Sequence, residues 1–199
     1  MTSRSAQMAR SAGVVMVAFV FSRLLGLARE MVIARQFGTS LELAAYLAAF
    51  RVPDFIFYLI AGGALGSAFI PTFTGYLTVG DEEEAWRLAS AVFNLLALVL
   101  VTAAVLAAAL APFLARLIVP GFDPETQALT ARLMRVMLIA PVVFGVSGLA
   151  MGVLHSHQHF VAPALAPAFY NLSIILAALL AGPRMGVSAL AAGVVAGAL

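Results

Sequence analysis

Long apolar runs separated by short polar stretches dominate this chain. Stretches without Asp, Glu, Lys or Arg run from Phe55 to Gly80, from Leu88 to Ala115 and from Val136 to Pro183. Each exceeds the roughly 20 residues that a helix needs to cross the hydrocarbon core of a bilayer, and the last is long enough for two crossings. The pattern predicts an all-α fold, a polytopic transmembrane helix bundle.

About six helices follow from the spacing of polar residues and helix caps. Asp81 with Glu84 three residues later is typical of a helix start, and so is Asp123 followed by Pro124. The final apolar run reaches Leu199 without an exit signal, so we expect a crossing that is cut short. Within a single transmembrane unit over 1–199, the predicted helices cover about 11–37, 44–76, 82–119, 124–154, 160–181 and 186–199.

The second predicted helix is too long for one straight crossing. Its span of about 33 residues approaches 50 Å at 1.5 Å per residue, against a hydrocarbon core of roughly 30 Å. Pro53 lacks a backbone donor, and Gly62 and Gly63 lower helix rigidity. We therefore expect this helix to bend or hinge at these residues.

Composition agrees with a membrane solvent and excludes several other classes. The chain is 63% hydrophobic and 10% charged, whereas soluble domains carry roughly 25% charged residues. A net charge of +2 is too small to suggest nucleic-acid binding, and the absence of cysteine excludes disulfides and thiolate metal sites. His155, His157 and His159 raise the possibility of a metal site, but their i, i+2 spacing favours a polar turn between helices. No metal or cofactor is expected, and Arg4 and Arg10 favour a cytoplasmic N-terminus.

Charged residues inside the first apolar helix are the candidate site. A charge at the bilayer centre costs about 2.5 to 3.5 kcal/mol on insertion scales, so Arg23, Arg29 and Glu30 are expected to face a wet cavity or each other. On a regular helix Arg23 and Glu30 lie within about 20°, while Arg29 is about 120° from Arg23. Unwinding at Gly26 would bring both guanidinium groups into one cavity, where they match phosphate oxygens. An intramembrane salt bridge that fastens this helix to a neighbour is the alternative.

Several spaced motifs resemble one known family. The segments are FSRLLGLARE at 21–30, ARQFG at 34–38, AFRVP at 49–53, AGGAL at 61–65, AFIP at 68–71, PGF at 120–122 and HFVAPALAP at 159–167, followed by Asn171. Together they resemble the MurJ/MviN family of lipid II flippases, within the multidrug/oligosaccharidyl-lipid/polysaccharide exporter superfamily. The similarity is collinear along nearly the whole chain.

The resemblance implies a MATE-like transporter of fourteen transmembrane helices in two six-helix lobes plus an extra pair, of which this chain forms most of the first lobe. It implies a bacterial cytoplasmic membrane protein, not an enzyme, that moves lipid II to the outer leaflet by alternating access. Arg23 and Arg29 match cavity arginines, Ser22 and Glu30 match their polar neighbours, and Arg51 matches a basic position on the second helix. Implied partners are lipid II, membrane lipids and cell-wall synthesis proteins, with a monomeric full-length protein.

Some positions depart from the family pattern. Ala44 replaces an aspartate, Phe57-Tyr58 replaces an arginine pair, and Gly62 replaces an acidic residue. The cavity thereby loses positive charge that would bind a diphosphate. Two alternatives therefore stay open, an exporter of another polyprenyl-diphosphate-linked glycan and a non-transporting membrane scaffold. The segment alone is expected to be inactive, because half of a two-lobed transporter cannot enclose a cavity.

Overall fold

The computed structural model describes residues 2–64, 68–157 and 160–199, and these ranges are almost entirely helical and contain no β-strand. A π-helical turn over Ala177–Ala181 joins α8 to α9. The helices are α1 Thr2–Phe37, α2 Leu41–Ala64, α3 Ile70–Thr78, α4 Glu82–Ala109, α5 Ala111–Ile118, α6 Pro124–Met137, α7 Ile139–Ser156, α8 Val161–Leu176, α9 Gly182–Met185 and α10 Ser188–Ala198.

A helical membrane bundle is therefore confirmed as the fold class. By length and composition, three helical stretches can cross a bilayer within the described residues, namely Glu82–Ala109, Pro124–Ser156 and Val161–Met185. The count of six crossings remains a prediction. The main helix pairs are α1 with α8, α2 with α6, and α8 with α10, so α8 connects the first helix to the rest of the bundle.

Several predicted helices are divided in the structure. The stretch predicted as 82–119 is broken at Leu110, and the stretch 124–154 is broken at Leu138. The stretch predicted as 44–76 contains α2 and α3, with residues 65–67 outside the described ranges. In contrast, α1 begins at Thr2 rather than near residue 11, because Ala, Met, Gln and Arg are good helix formers and extend the helix beyond its apolar stretch.

The break between α4 and α5 has an identifiable cause. Pro112 has no N–H, so it cannot donate to the carbonyl of Ala108 one turn earlier. Arg135 on α6 supplies the missing donor, with its Nε 3.0 Å from the Ala108 oxygen. The guanidinium thus satisfies a carbonyl at the C-terminal end of α4, where a positive charge is also favourable.

The predicted hinge residues lie within continuous helix. α2 runs through Pro53 without interruption, and Gly62 and Gly63 fall in its last turn, where it ends at Ala64. A hinge at these residues remains a prediction.

The two predicted helix starts are confirmed. The carboxylate of Asp81 accepts a hydrogen bond from the backbone N–H of Glu84 at 3.2 Å, and that of Asp123 accepts one from Thr126 at 3.0 Å. Glu84 itself pairs with Arg87 at 2.6 Å. The acidic stretch after Gly80 therefore acts as a helix start.

Candidate ligand cavity

A cavity of about 580 Å³ lies in the bundle between α1, α2, α6, α7, α8 and α10. This volume is within the range of about 300 to 1,000 Å³ typical of ligand pockets. Its polar lining comes from three helices, with Arg29 and Glu30 on α1, Tyr46 and Asp54 on α2, and Tyr170 on α8. The remaining lining residues are apolar, namely Ile33, Ala34, Leu43, Leu47, Phe50, Pro53, Phe57, Met137, Ala140, Pro141, Phe144 and Val194.

The helical period explains which residues reach the cavity. On α2 the lining residues recur at intervals of three and four, which places them on one face of the helix. Asp54 lies on this face between Phe50 and Phe57, four residues after the first and three before the second. Asp54 is exposed, with an aromatic residue about one turn before it and another about one turn after it on this face of α2.

Arg29 is fixed by two polar contacts. Its Nη1 donates to Oδ1 of Asn171 on α8 at 3.2 Å, and its Nη2 pairs with the Glu30 carboxylate. Each terminal nitrogen of a guanidinium carries two N–H groups, so each keeps one for a ligand. The Arg29 side chain is 25% exposed, which agrees with a group that is held by the bundle yet open to the cavity.

Asn171 links two points on α1. It is buried, and its Nδ2 donates to the backbone carbonyl of Ser22 at 3.3 Å while its Oδ1 accepts from Arg29. The first bond fixes which way the amide faces and therefore directs its oxygen towards Arg29. The backbone of Gly26 lies beside this amide, and a Cβ placed there would be 3.5 Å from Asn171 Nδ2.

The other predicted site residues do not line the cavity. Arg23 is exposed on the same helix face as Glu30, about 10 Å further along α1, and Arg51 is exposed next to Phe50 on α2. The structure differs from the expectation of unwinding at Gly26, because α1 is continuous and regular helix keeps Arg23 and Arg29 on different faces. Their substrate-binding roles, like those of Arg29, Glu30 and Ser22, remain predictions.

Ser22 is buried in the helix packing and does not line the cavity. Its side chain is buried, and its Oγ has no hydrogen-bond partner within the described residues. Its backbone carbonyl receives the Asn171 amide. Ser22 therefore contributes to the cavity indirectly, through the residue that holds Arg29.

Three polar lining residues were not found from the sequence. Asp54 is the detectable one, because an acidic residue directly after Pro53 in an apolar helix is a signal of the same kind as Glu30. Tyr46 and Tyr170 carry no such signal, since tyrosine is common in membrane helices.

The histidines form no joint site in the part of the chain that is described. His155 stacks on Phe160 with ring centroids 5.5 Å apart, and the His157 Nδ1 is 3.0 Å from the Val153 carbonyl oxygen. His159 lies outside the described residues. A search of the described ranges finds no group of three or more His, Cys, Asp or Glu that could hold a metal ion.

Apolar helices around a charged, ligand-sized cavity define an α-helical membrane protein with a polar chamber inside its bundle. The chain belongs to the MurJ family, because the family model described as lipid II flippase MurJ matches residues 33–199. It is therefore a multi-pass bacterial membrane protein.

Curated relatives agree with this assignment. The chain is 29% identical over 172 residues to the probable lipid II flippase MurJ of Synechocystis sp., covering 86% of this chain and 32% of the relative. It is 33% identical to the lipid II flippase MurJ of Burkholderia cenocepacia, covering 84% and 33%, and 36% identical to the probable lipid II flippase MurJ of Rhizobium tropici, covering 78% and 30%. The chain thus spans about a third of the length of these relatives.

Proposed function

We propose that the protein takes part in moving lipid II, the lipid-linked peptidoglycan precursor, from the cytoplasmic to the outer leaflet during cell-wall biogenesis. The relatives' names support this substrate, and the cavity supports the mode of binding. In this proposal the lipid keeps its covalent structure and only changes sides, by alternating access of the cavity. The N-terminus lies in the cytoplasm, and the full-length protein acts as a monomer near cell-wall synthesis proteins.

The position of Arg29 is the observation that carries the proposal. A guanidinium stays protonated and offers a planar fork of N–H donors that fits phosphate oxygens. Asn171 and Glu30 occupy one N–H on each terminal nitrogen and leave the others for a ligand. Glu30 neutralises Arg29 while the cavity is empty, and a diphosphate that bonds the free N–H groups competes with Glu30 for the positive charge. Arg23, two turns along α1, meets parts of the headgroup that extend beyond the cavity.

One observation favours a second candidate, an exporter of another polyprenyl-diphosphate-linked glycan. Phe57, which stands where the resemblance expects a basic residue, lines the cavity. An aromatic ring there weakens phosphate binding but leaves room for a different glycan.

Complementation of flippase-depleted cells by the full-length protein tests the proposal. The wild type should restore growth, whereas Arg29→Gln should not, although it reaches the membrane in equal amount. Arg87→Gln is the matched control, because Arg87 is exposed and pairs only with Glu83 and Glu84 among the described residues.

The outcomes separate the candidates. Rescue by Arg29→Gln at the wild-type level would contradict an Arg29-dependent transporter and favour a scaffold. A wild-type protein that translocates another polyprenyl-diphosphate glycan in vesicles, yet fails to rescue, would favour the second candidate.

A further inference from the structure

The cavity wall carries an exposed carboxylate, that of Asp54, in addition to the ion pair of Arg29 and Glu30. Arg29 and Glu30 neutralise each other in an ion pair, whereas Asp54 forms no ion pair within the described residues. An ionised carboxylate accepts hydrogen bonds and cannot donate them, and it repels phosphate. The part of a ligand beside Asp54 must therefore present O–H or N–H groups and carry no negative charge.

Aromatic rings form a continuous surface in the same cavity, which we call the aromatic wall and define as Phe57, Phe144 and Tyr170. The ring centroids of Phe57 and Phe144 are 5.7 Å apart and those of Phe144 and Tyr170 are 5.3 Å apart, both edge to face. All three rings are half-buried and line the cavity. Because they come from α2, α7 and α8 and brace one another, they present a rigid apolar surface at low entropic cost.

Tyr46 adds a buried hydroxyl that faces this space. The residue is 4% exposed, lines the cavity and packs edge to face on Phe50, with ring centroids 5.6 Å apart. Arg29, Glu30 and Asp54 line the same cavity. A tyrosine hydroxyl both donates and accepts hydrogen bonds, so it can bond a polar group of a ligand at the same place.

We propose that Asp54, Tyr46 and the aromatic wall form a subsite for a sugar ring. Asp54 accepts a hydrogen bond from a sugar hydroxyl or an acetamido N–H, Tyr46 bonds a second polar group, and the C–H face of the ring packs on the wall. The inference rests on the proposed function, in which Arg29 holds the diphosphate to which the sugar is attached. It assigns glycan selectivity to α2 and explains how an aromatic residue at position 57 is useful there.

The test compares two lipids whose phosphates carry the same charge. One is the methyl ester of farnesyl diphosphate, and the other is farnesyl diphosphate esterified with N-acetylglucosamine. Affinities are measured by isothermal titration calorimetry on the purified full-length protein in nanodiscs. The wild type should bind the sugar-bearing lipid more tightly than the methyl ester.

Substitutions in the subsite should act on the sugar-bearing lipid alone. Phe57→Leu should weaken its binding about tenfold, and Asp54→Asn should weaken it by a similar factor while binding of the methyl ester stays unchanged or tightens. Phe55→Leu and Glu42→Gln are matched controls, because both residues are exposed on α2 and do not line the cavity. Neither control should change either affinity.

The outcomes also separate this inference from the proposed function. The inference is overturned if the wild type binds both lipids equally, or if Asp54→Asn and Phe57→Leu weaken both to the same extent. Arg29→Gln should weaken both lipids, and its failure to do so would overturn the diphosphate role of Arg29 instead.

Discussion

Two arginines within this apolar bundle, Arg29 and Arg135, meet their hydrogen-bonding needs in different ways. Arg135 donates to the carbonyl of Ala108, which Pro112 leaves without its usual donor. Arg29 is held by side chains, Asn171 and Glu30, and it borders an open cavity. The first arrangement repairs a helix break, whereas the second positions a charge and leaves donors for a ligand.

The comparison shows that an arginine in a membrane helix is not by itself a binding residue. The informative feature is the group to which the guanidinium donates its hydrogen bonds. A backbone carbonyl at a helix end uses the guanidinium as a cap, so its substitution affects folding. A neutral amide combined with a neighbouring carboxylate orients the guanidinium without occupying it fully, so we expect its substitution to affect binding.

Among substitutions that leave Arg29 in place, removal of the amide that orients it should have the largest effect on diphosphate binding. In Asn171→Leu the branched shape and the number of side-chain heavy atoms are kept, but Arg29 loses its acceptor across the α1–α8 contact. We expect affinity for a diphosphate lipid to fall about tenfold, because a hydrogen bond to a charged group is lost and the fork is no longer preorganised. Calorimetry on the full-length protein measures this, with Asn94→Leu, an exposed position on α4, as control. Unchanged affinity would mean that Arg29 keeps its orientation without Asn171.

Substitution of the structural arginine should lower stability and leave binding intact. Arg135→Leu removes the side-chain donor to the Ala108 carbonyl, and because this hydrogen bond is exposed we expect a cost of about 0.5 to 1.5 kcal/mol of unfolding free energy. Thermal unfolding in detergent reports the loss, and Arg132→Leu on the same helix is the control. The contrast between the two arginines fails if Arg135→Leu weakens lipid binding at temperatures where the protein stays folded.

A third arginine, Arg23, tests whether a charge outside the cavity contributes to ligand binding. Because it is exposed and does not line the cavity, Arg23→Gln should weaken binding of a short farnesyl diphosphate ester by only about twofold to threefold. A loss as large as that of Arg29→Gln would show that α1 turns or unwinds at Gly26 on binding, as the sequence suggested.

The smallest effect concerns the N-terminal cap of α6, at the opposite end of that helix from Arg135. The hydrogen bond from the Thr126 hydroxyl lowers the pKa of the Asp123 carboxyl most, and the hydrogen bond from the Thr126 backbone N–H lowers it further. A carboxyl whose pKa is lower in the folded state than in the unfolded state stabilises the folded state at pH values above the unfolded pKa of about 3.9. This stabilisation is lost as the pH falls through the folded pKa. The wild type should therefore lose a small part of its thermal stability on acidification below that range. Asp123→Asn should remove this portion of the pH dependence, and an unchanged pH profile would contradict it.

Local signals predicted much of the fold and part of the site. The apolar runs, Asp81 and Asp123 predicted helices and helix starts correctly, because a cap or a run depends on a few adjacent residues. Arg29 and Glu30 stood out because charge is costly in an apolar helix. The breaks at Leu110 and Leu138 were missed, although Pro112 is a signal for the first.

The partners of the charged residues could not be predicted. The contact between Arg29 and Asn171 joins residues 142 positions apart, and only the packing of α1 on α8 brings them together. The same holds for the aromatic wall, whose three rings lie on three helices. Sequence patterns identify which residues are unusual, whereas the tertiary fold determines what they contact.

Retention of a diphosphate lipid by the full-length protein tests the central role of Arg29 most directly. Native mass spectrometry compares the wild type, Arg29→Gln and Arg135→Gln, each purified in the same detergent with added lipid II. We predict that the wild type and Arg135→Gln retain the lipid, while Arg29→Gln loses about 99% of its affinity, the effect of losing a pair of charge-assisted hydrogen bonds. Equal retention by all three proteins would contradict the role of Arg29 as the group that binds the diphosphate.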